Sequence, residues 1–254
     1  MAVIAVFNQK GGVGKTTTTV NLTAGLARMA LRPIAIDLDP QAHLTLTFGI
    51  TAVVGETSIS AFFRDDTPLP ALVRELASGV RVIPAHMELA KIEALQNKSA
   101  AAARKLKTGL DESLRQEGVP ILIDCCPTLG VLSLNALLAA DRILVPVSAD
   151  FLSLQSVNKL DAALKALEGP LNRKIEKRIV LTRFDARRKL SFDIFDKLKA
   201  RYGEELCDTR VVENVALAAS PVESKDVFAF APASPGARDY AALTLELKEC
   251  GFFS

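Results

Sequence analysis

The chain has 254 residues, enough for one large domain with a substantial core or at most two small ones. Hydrophobic residues make up 49% and charged residues 24%, which excludes a disordered chain, and a net charge of +2 cannot define a nucleic-acid binder without a local basic patch. The cysteines (Cys125, Cys126, Cys207, Cys250) and histidines (His43, His86) show no C-x-x-C or paired-ligand spacing, so no zinc or redox centre is expected and the thiols read as reduced and buried.

In chain order, the opening MAVIAVF lacks the basic n-region of a secretory signal, and no later run reaches the roughly 18 apolar residues of a membrane span. Residues 3–7 are apolar on both faces, as a strand in a helix-covered parallel sheet is. The string NQKGGVGKTTTT follows at 8–19 and leads into a helical pattern over 16–30. Strand patterns recur at 33–36, 80–83, 121–123, 143–147 and 179–181, and helical ones at 101–116, 153–167, 191–202 and 237–248. Residues 55–70, with Gly55, Pro68 and Pro70, read as a surface excursion rather than a domain boundary. The alternation predicts an α/β fold: a doubly wound, mostly parallel sheet flanked by helices, in one domain over 1–254.

The glycine-rich string sits where a phosphate-binding loop belongs, between a strand and a helix. The usual pattern G-x-x-x-x-G-K-[ST] ends correctly at Gly14-Lys15-Thr16, but Gln9 stands at its first glycine and an extra Lys10 follows. Gly11, Gly12 and Gly14 still allow successive backbone N–H groups to face phosphate oxygens, and the helix start adds its positive end. Lys15 is placed to reach the β- and γ-phosphates and the Thr16 hydroxyl to hold Mg²⁺. In IAIDLDPQ, Asp37 and Asp39 stand two apart, on one side of a strand's C-terminal end if both are extended. A strand followed by an ordinary D-P-Q turn explains that segment equally when taken alone. ILIDCCPTLG ends a strand on Asp124, the position of a carboxylate that holds Mg²⁺ through water, with 127–130 as the loop that senses the γ-phosphate.

KGGVGKTT resembles the deviant Walker A motif of the ParA/MinD family of P-loop ATPases. DLDPQ, DCCPTLG, VLTRFDARRKLS and APASPGARDY extend the resemblance over nearly the whole chain and favour its small ParA (Soj-like) branch. The resemblance implies a P-loop NTPase fold, ATP and Mg²⁺ as ligands, and ATP hydrolysis. It implies a nucleotide site made by Lys10, Gly11, Gly12, Val13, Gly14, Lys15, Thr16 and Thr17, with Thr182 and Arg183 near the adenine base. Lys10 would cross a dimer interface to the partner's nucleotide, which fits the need to offset two facing triphosphates. Asp39 would position the attacking water, with Lys10 and Lys15 as its catalytic companions, and Asp37 would lie near the metal held by Thr16 and Asp124. Relatives carry a proline where Cys126 stands.

The family's partners are a second copy of the chain, a ParB-like or other cargo adaptor, and non-specific DNA, which implies a cytoplasmic, nucleoid-associated protein. Residues 171–201 hold eleven Lys/Arg and four Asp/Glu, a net +7 against −5 for the rest, so a local DNA surface is available. Solvated faces of two helices are the bland alternative. Arg187, Arg188 and Lys189 are the candidate DNA contacts, Arg187 matching an arginine that relatives use. Other basic positions of relatives fall on Ala216 and Glu213, which shifts or weakens the footprint. MinD-like membrane positioning is the alternative class, but LKECGFFS offers no basic amphipathic helix, and its phenylalanines read as packing. A nitrogenase-iron-protein-like reductase also shares the loop, yet adjacent Cys125 and Cys126 fit its cluster ligation poorly.

Overall fold

The computed structural model of the chain describes residues 1–94, 99–171 and 173–254. Its centre is one eight-stranded sheet. In chain order the elements are β1 (Val3–Val6), α1 (Lys15–Arg28), β2 (Ile34–Leu38), α2 (His43–Thr47), α3 (Ile59–Asp65) and α4 (Leu69–Leu72). Then come β3 (Arg74–Glu75), β4 (Arg81–Ile83), α5 (Leu89–Ala94), α6 (Ala100–Asp111), β5 (Ile121–Cys125), α7 (Val131–Ala139) and β6 (Arg142–Ser148). The chain closes with α8 (Phe151–Leu171), β7 (Glu176–Phe184), α9 (Lys189–Tyr202), β8 (Leu206–Val212), α10 (Val215–Ala219), α11 (Val227–Phe230) and α12 (Pro235–Glu249).

The strands lie in the order β3-β4-β2-β5-β1-β6-β7-β8, and every pairing is parallel except that of the two-residue β3 with β4. Two-residue alternation divides β1 between two cores. Val3 and Ala5 face a layer with Leu106, Leu132, Leu160 and Leu198, whereas Ile4 and Val6 face Leu22, Leu26, Tyr240 and Leu247. Both faces being covered, the strands need no polar side, which is why they are near-continuously apolar. β1 runs between β5 and β6, and the chain leaves β1 into α1 on one face of the sheet and leaves the adjacent β5 into α7 on the other. That is the switch point where open α/β sheets form a crevice beyond their strand ends.

One expectation needs correction, and the elements that the sequence pattern does not mark include α7 and β8. Residues 55–70 are not a surface excursion: α3 buries Ile59, Ala61 and Phe62 in the main core. Helix α7 was not anticipated, because it is apolar on nearly every side and lacks the contrast of an amphipathic pattern. Strand β8 was not anticipated either, since its sequence LCDTRVV interrupts the apolar run with three polar residues. Its buried positions are split between the two cores, Leu206 in one and Cys207 and Val211 in the other, so no continuous apolar run marks it. The phenylalanines near the C-terminus do pack inward, with Phe252 at 0% and Phe253 at 2% exposure. Among the described residues no helix is long and apolar enough to cross a membrane.

Candidate functional site

The loop from β1 to α1 is held at both ends. Asn8, fully buried, donates from Nδ2 to the Pro146 carbonyl (2.8 Å) and accepts the Lys10 amide at Oδ1 (3.0 Å). Gly12 and Gly14 take positive φ (72° and 84°), the left-handed backbone that turns the chain into α1 without a Cβ penalty. Helix α1 begins at Lys15 with no side-chain cap, so its first amides remain for a ligand. The four threonines divide their work. Thr16 donates to Asp124 Oδ2 (2.7 Å), while buried Thr18 meets the Tyr240 hydroxyl (3.0 Å) and buried Thr19 donates to the Lys15 carbonyl (3.0 Å). Thr17 lines the hollows on either side of the loop.

Asp37 and Asp124 are register partners on adjacent β2 and β5, and both are buried. Burial lifts Asp37 to about 6 even though Thr45 and the Asp39 amide hydrogen-bond its charged form. Burial also pushes Asp124 well above the ordinary carboxylate value, with the Asp37 charge adding to the effect. Lys15 is shifted down by burial, partly offset by the charges of Asp124 and Asp39, and its ammonium donates to the Lys10 carbonyl (3.2 Å).

The expected projection of Asp37 and Asp39 from one strand is corrected. Strand β2 stops at Leu38, leaving Asp39 in the following turn, where its Oδ1 accepts the Gln41 amide (2.9 Å). Asp37 Oδ1 accepts the Asp39 amide (3.1 Å), and its Oδ2 accepts both the Thr45 amide (2.9 Å) and hydroxyl (2.6 Å). Asp37 thus braces the turn that carries Asp39, while Asp124 is the carboxylate in contact with Thr16.

Lys10 does not project outward. Its ammonium lies 2.6 Å from Asp150 Oδ2 and 3.5 Å from Ser148 Oγ, at the end of β6 beside β1. Thr182 is buried and donates to the Val13 carbonyl (2.9 Å), which ties β7 to the loop. Arg183, at φ 50°, turns away to pair with Glu213 (3.0 Å). Both line a hollow of about 330 Å³ with Gly12, Gly14, Thr17 and residues 211–214. A second hollow of about 390 Å³ adjoins Thr16 and Thr17 from the α2 side, and a larger one of about 960 Å³ lies apart from the loop, between α3 and α6.

Arg187, Arg188 and Lys189 stand on the turn from β7 to α9. Arg187 pairs with Asp185 through two bonds (2.9 Å each) and Arg188 through one (3.2 Å). The same arginines hold Asp185 down to about 2. Asn8, Thr45, Ser148 and Asp150 escaped sequence reasoning, because each belongs to the site only through a contact with a distant segment or an unremarkable turn.

A phosphate loop at the switch point of this sheet, with a threonine and a buried carboxylate at the helix start, defines a P-loop nucleoside-triphosphatase fold. The sequence matches the AAA domain family over residues 1–177. It is 33% identical to the chromosome partitioning protein ParA of Caulobacter vibrioides, over 97% of this chain and 94% of that one. It is 38% identical to the chromosome-partitioning ATPase Soj of Thermus thermophilus, over 96% and 94%. The chain belongs to the ParA/Soj family of partition ATPases. Among solved structures, the cobyrinic acid a,c-diamide synthase of Mycobacterium smegmatis with bound ADP and magnesium superposes with a TM-score of 0.82 at 27% identity, over 98% of this chain and 96% of that one. The Pyrococcus furiosus cell division ATPase MinD, at 20% identity, shares the fold with a TM-score of 0.78, over 98% of each chain.

Proposed function

We propose that this protein hydrolyses ATP slowly, closes into an ATP-dependent sandwich dimer, binds DNA non-specifically and positions a cargo, with a ParB-type adaptor triggering hydrolysis. The cargo is a chromosome or plasmid locus or a protein cluster. The observation that carries the reading is Lys10, an extra cation in the phosphate loop, ion-paired at the end of β6. Its ion pair with Asp150 is partly exposed (side chains 27% and 45%). A pair so placed is worth roughly 1 kcal/mol or less. Exchanging it for a partner's triphosphate therefore costs little, and the gain is a dimer held together by nucleotide.

Within one protomer, the amides of Gly11 to Thr17 and the Lys15 ammonium would hold the phosphates. The oxygen donors of Thr16 and Asp124, 2.7 Å apart, suit a hard cation. Magnesium bound there would neutralise charge on the β- and γ-phosphate oxygens. Asp39, at the tip of a turn braced by Asp37, would orient water. The hollow beside Thr182 and Arg183 would take the base.

Two variants test this. Lys10→Ala should retain nucleotide binding by the monomer and lose ATP-induced dimerisation in analytical ultracentrifugation. Asp39→Ala should still dimerise with ATP, with turnover lowered by roughly 10²-fold. Normal ATP-dependent dimerisation of the Lys10 variant would refute the assigned role of that lysine.

A further inference from the structure

Helix α7 starts directly after residues 127–130, the loop that follows Asp124, and it starts without a cap of its own. Gly130 lies extended (φ −116°, ψ −162°) with no side chain to accept the first amides. The missing acceptor comes from α5: Glu93 Oε2 takes the Leu132 amide at 3.0 Å, and Thr128 Oγ1 lies 3.4 Å from Glu93 Oε1. A Cβ at residue 130 would meet this carboxylate and displace it, so glycine leaves the room in which the contact forms. One charged side chain thus grips the loop at Thr128 and the helix behind it at Leu132. Its charge suits the positive helix start. Ile92 and Val131, the neighbours of the two gripping partners, pack on the main core and give the grip a fixed base.

We infer that Glu93 is a positioning residue for ATP turnover: it holds residues 127–130 in the arrangement that responds to the γ-phosphate. The inference rests on the ATPase reading above. Without the grip, Thr128 keeps only its local partners, Cys126 and Ser133, and the Leu132 amide loses its acceptor. A loop with several arrangements is competent for only a fraction of the time, and both the preference for ATP over ADP and the turnover fall with that fraction.

Glu93→Ala should speed hydrogen exchange of the Leu132 amide in the nucleotide-free protein by about tenfold, the usual worth of a charged hydrogen bond. Its kcat and its ATP-over-ADP preference, measured with fluorescent nucleotides, should fall by a similar factor while ADP affinity stays near that of the unaltered protein. Glu93→Gln, which keeps the shape and an acceptor, should lie between them and serves if the alanine variant folds poorly. Adding Gly130→Ser to Glu93→Ala places a capping hydroxyl in the vacated space and should restore slow exchange, with turnover partly recovered. Unchanged exchange in Glu93→Ala overturns the grip. Faster exchange with unchanged kcat and unchanged nucleotide preference overturns its role in turnover. If the unaltered protein itself fails to hydrolyse ATP, the ATPase reading falls instead, and the exchange measurement still decides whether the grip exists.

Discussion

At the scale of single residues, the site is in tension with its own stability. Asp37 and Asp124 are buried next to each other, and both are displaced upward, Asp37 from 3.8 to about 6. A carboxyl raised in the folded state binds more protons there than in the unfolded chain, so stability is present at low pH and is lost as pH rises through the window from about 4 to about 6. Above that window Asp37 is charged beside the buried Asp124 carboxyl, a crowding that a bound cation would relieve. Asp124→Asn should therefore raise the melting temperature of the nucleotide-free protein at pH 7.5, by roughly 2–4 °C for each kcal/mol relieved. The same change should lower magnesium-dependent turnover by roughly 10²-fold. Calorimetry and a phosphate-release assay check the two halves; a lower melting temperature would mean that the Thr16 bond to Asp124 outweighs the relieved repulsion. The contiguous part of this site was legible as text, because a glycine loop, Lys15 and Thr16 are neighbours in sequence. Asp150 was not, since only the β1–β6 pairing brings it to Lys10.

At the scale of elements, β8 shows why an edge strand hides from pattern reading. Three of its backbone amides are met by helix α12 rather than by a strand: Glu246 accepts from Asp208 and Thr209 (2.8 Å each), and Asp239 accepts from Val212 (2.9 Å). The acceptors lie 27 to 38 residues further on and carry the charges that a surface helix would show anyway, so nothing local marks them. The interior strands were readable because burial on both faces leaves an apolar run. β8 sends Leu206 into one core and Cys207 and Val211 into the other, and between them its capped edge tolerates Asp208, Thr209 and Arg210. The caps also block edge-to-edge pairing with other chains. Glu246→Ala removes the acceptor of two amides at a partly exposed edge and should cost about 1 kcal/mol in urea unfolding. Amide exchange should accelerate at Asp208 and Thr209 before it does in β1, and aggregation on mild heating should increase. Equal protection of β8 in both proteins would show that solvent replaces the carboxylate without loss.

At the scale of the whole molecule, the question is where a nearly neutral protein concentrates positive charge. The turn bearing Arg187, Arg188 and Lys189 and the one bearing Glu213 leave adjacent strand ends, since Glu213 donates its amide to the Phe184 carbonyl. Ala216 follows just beyond on α10. The rim is therefore basic on the β7 side and not on the β8 side, where Glu213 engages Arg183. Asp185 further offsets the two arginines that flank it. A footprint confined to three residues predicts a modest salt dependence, with each phosphate contact contributing about 0.9 to the slope of log affinity against log salt. Replacing Arg187, Arg188 and Lys189 together with alanine should lower ATP-dependent DNA affinity and reduce that slope by about two to three units. Asp185→Asn should act in the opposite direction, because it unmasks guanidinium groups already facing solvent, with Arg187 89% exposed at its side chain. Fluorescence anisotropy with random-sequence duplex at several salt concentrations reads both. If the triple variant keeps its affinity and slope, the basic excess of residues 171–201 is only solvated helix surface and DNA, if bound, is held elsewhere. A triple variant that weakens while Asp185→Asn strengthens would place the DNA on this one rim, beside the hollow assigned to the base.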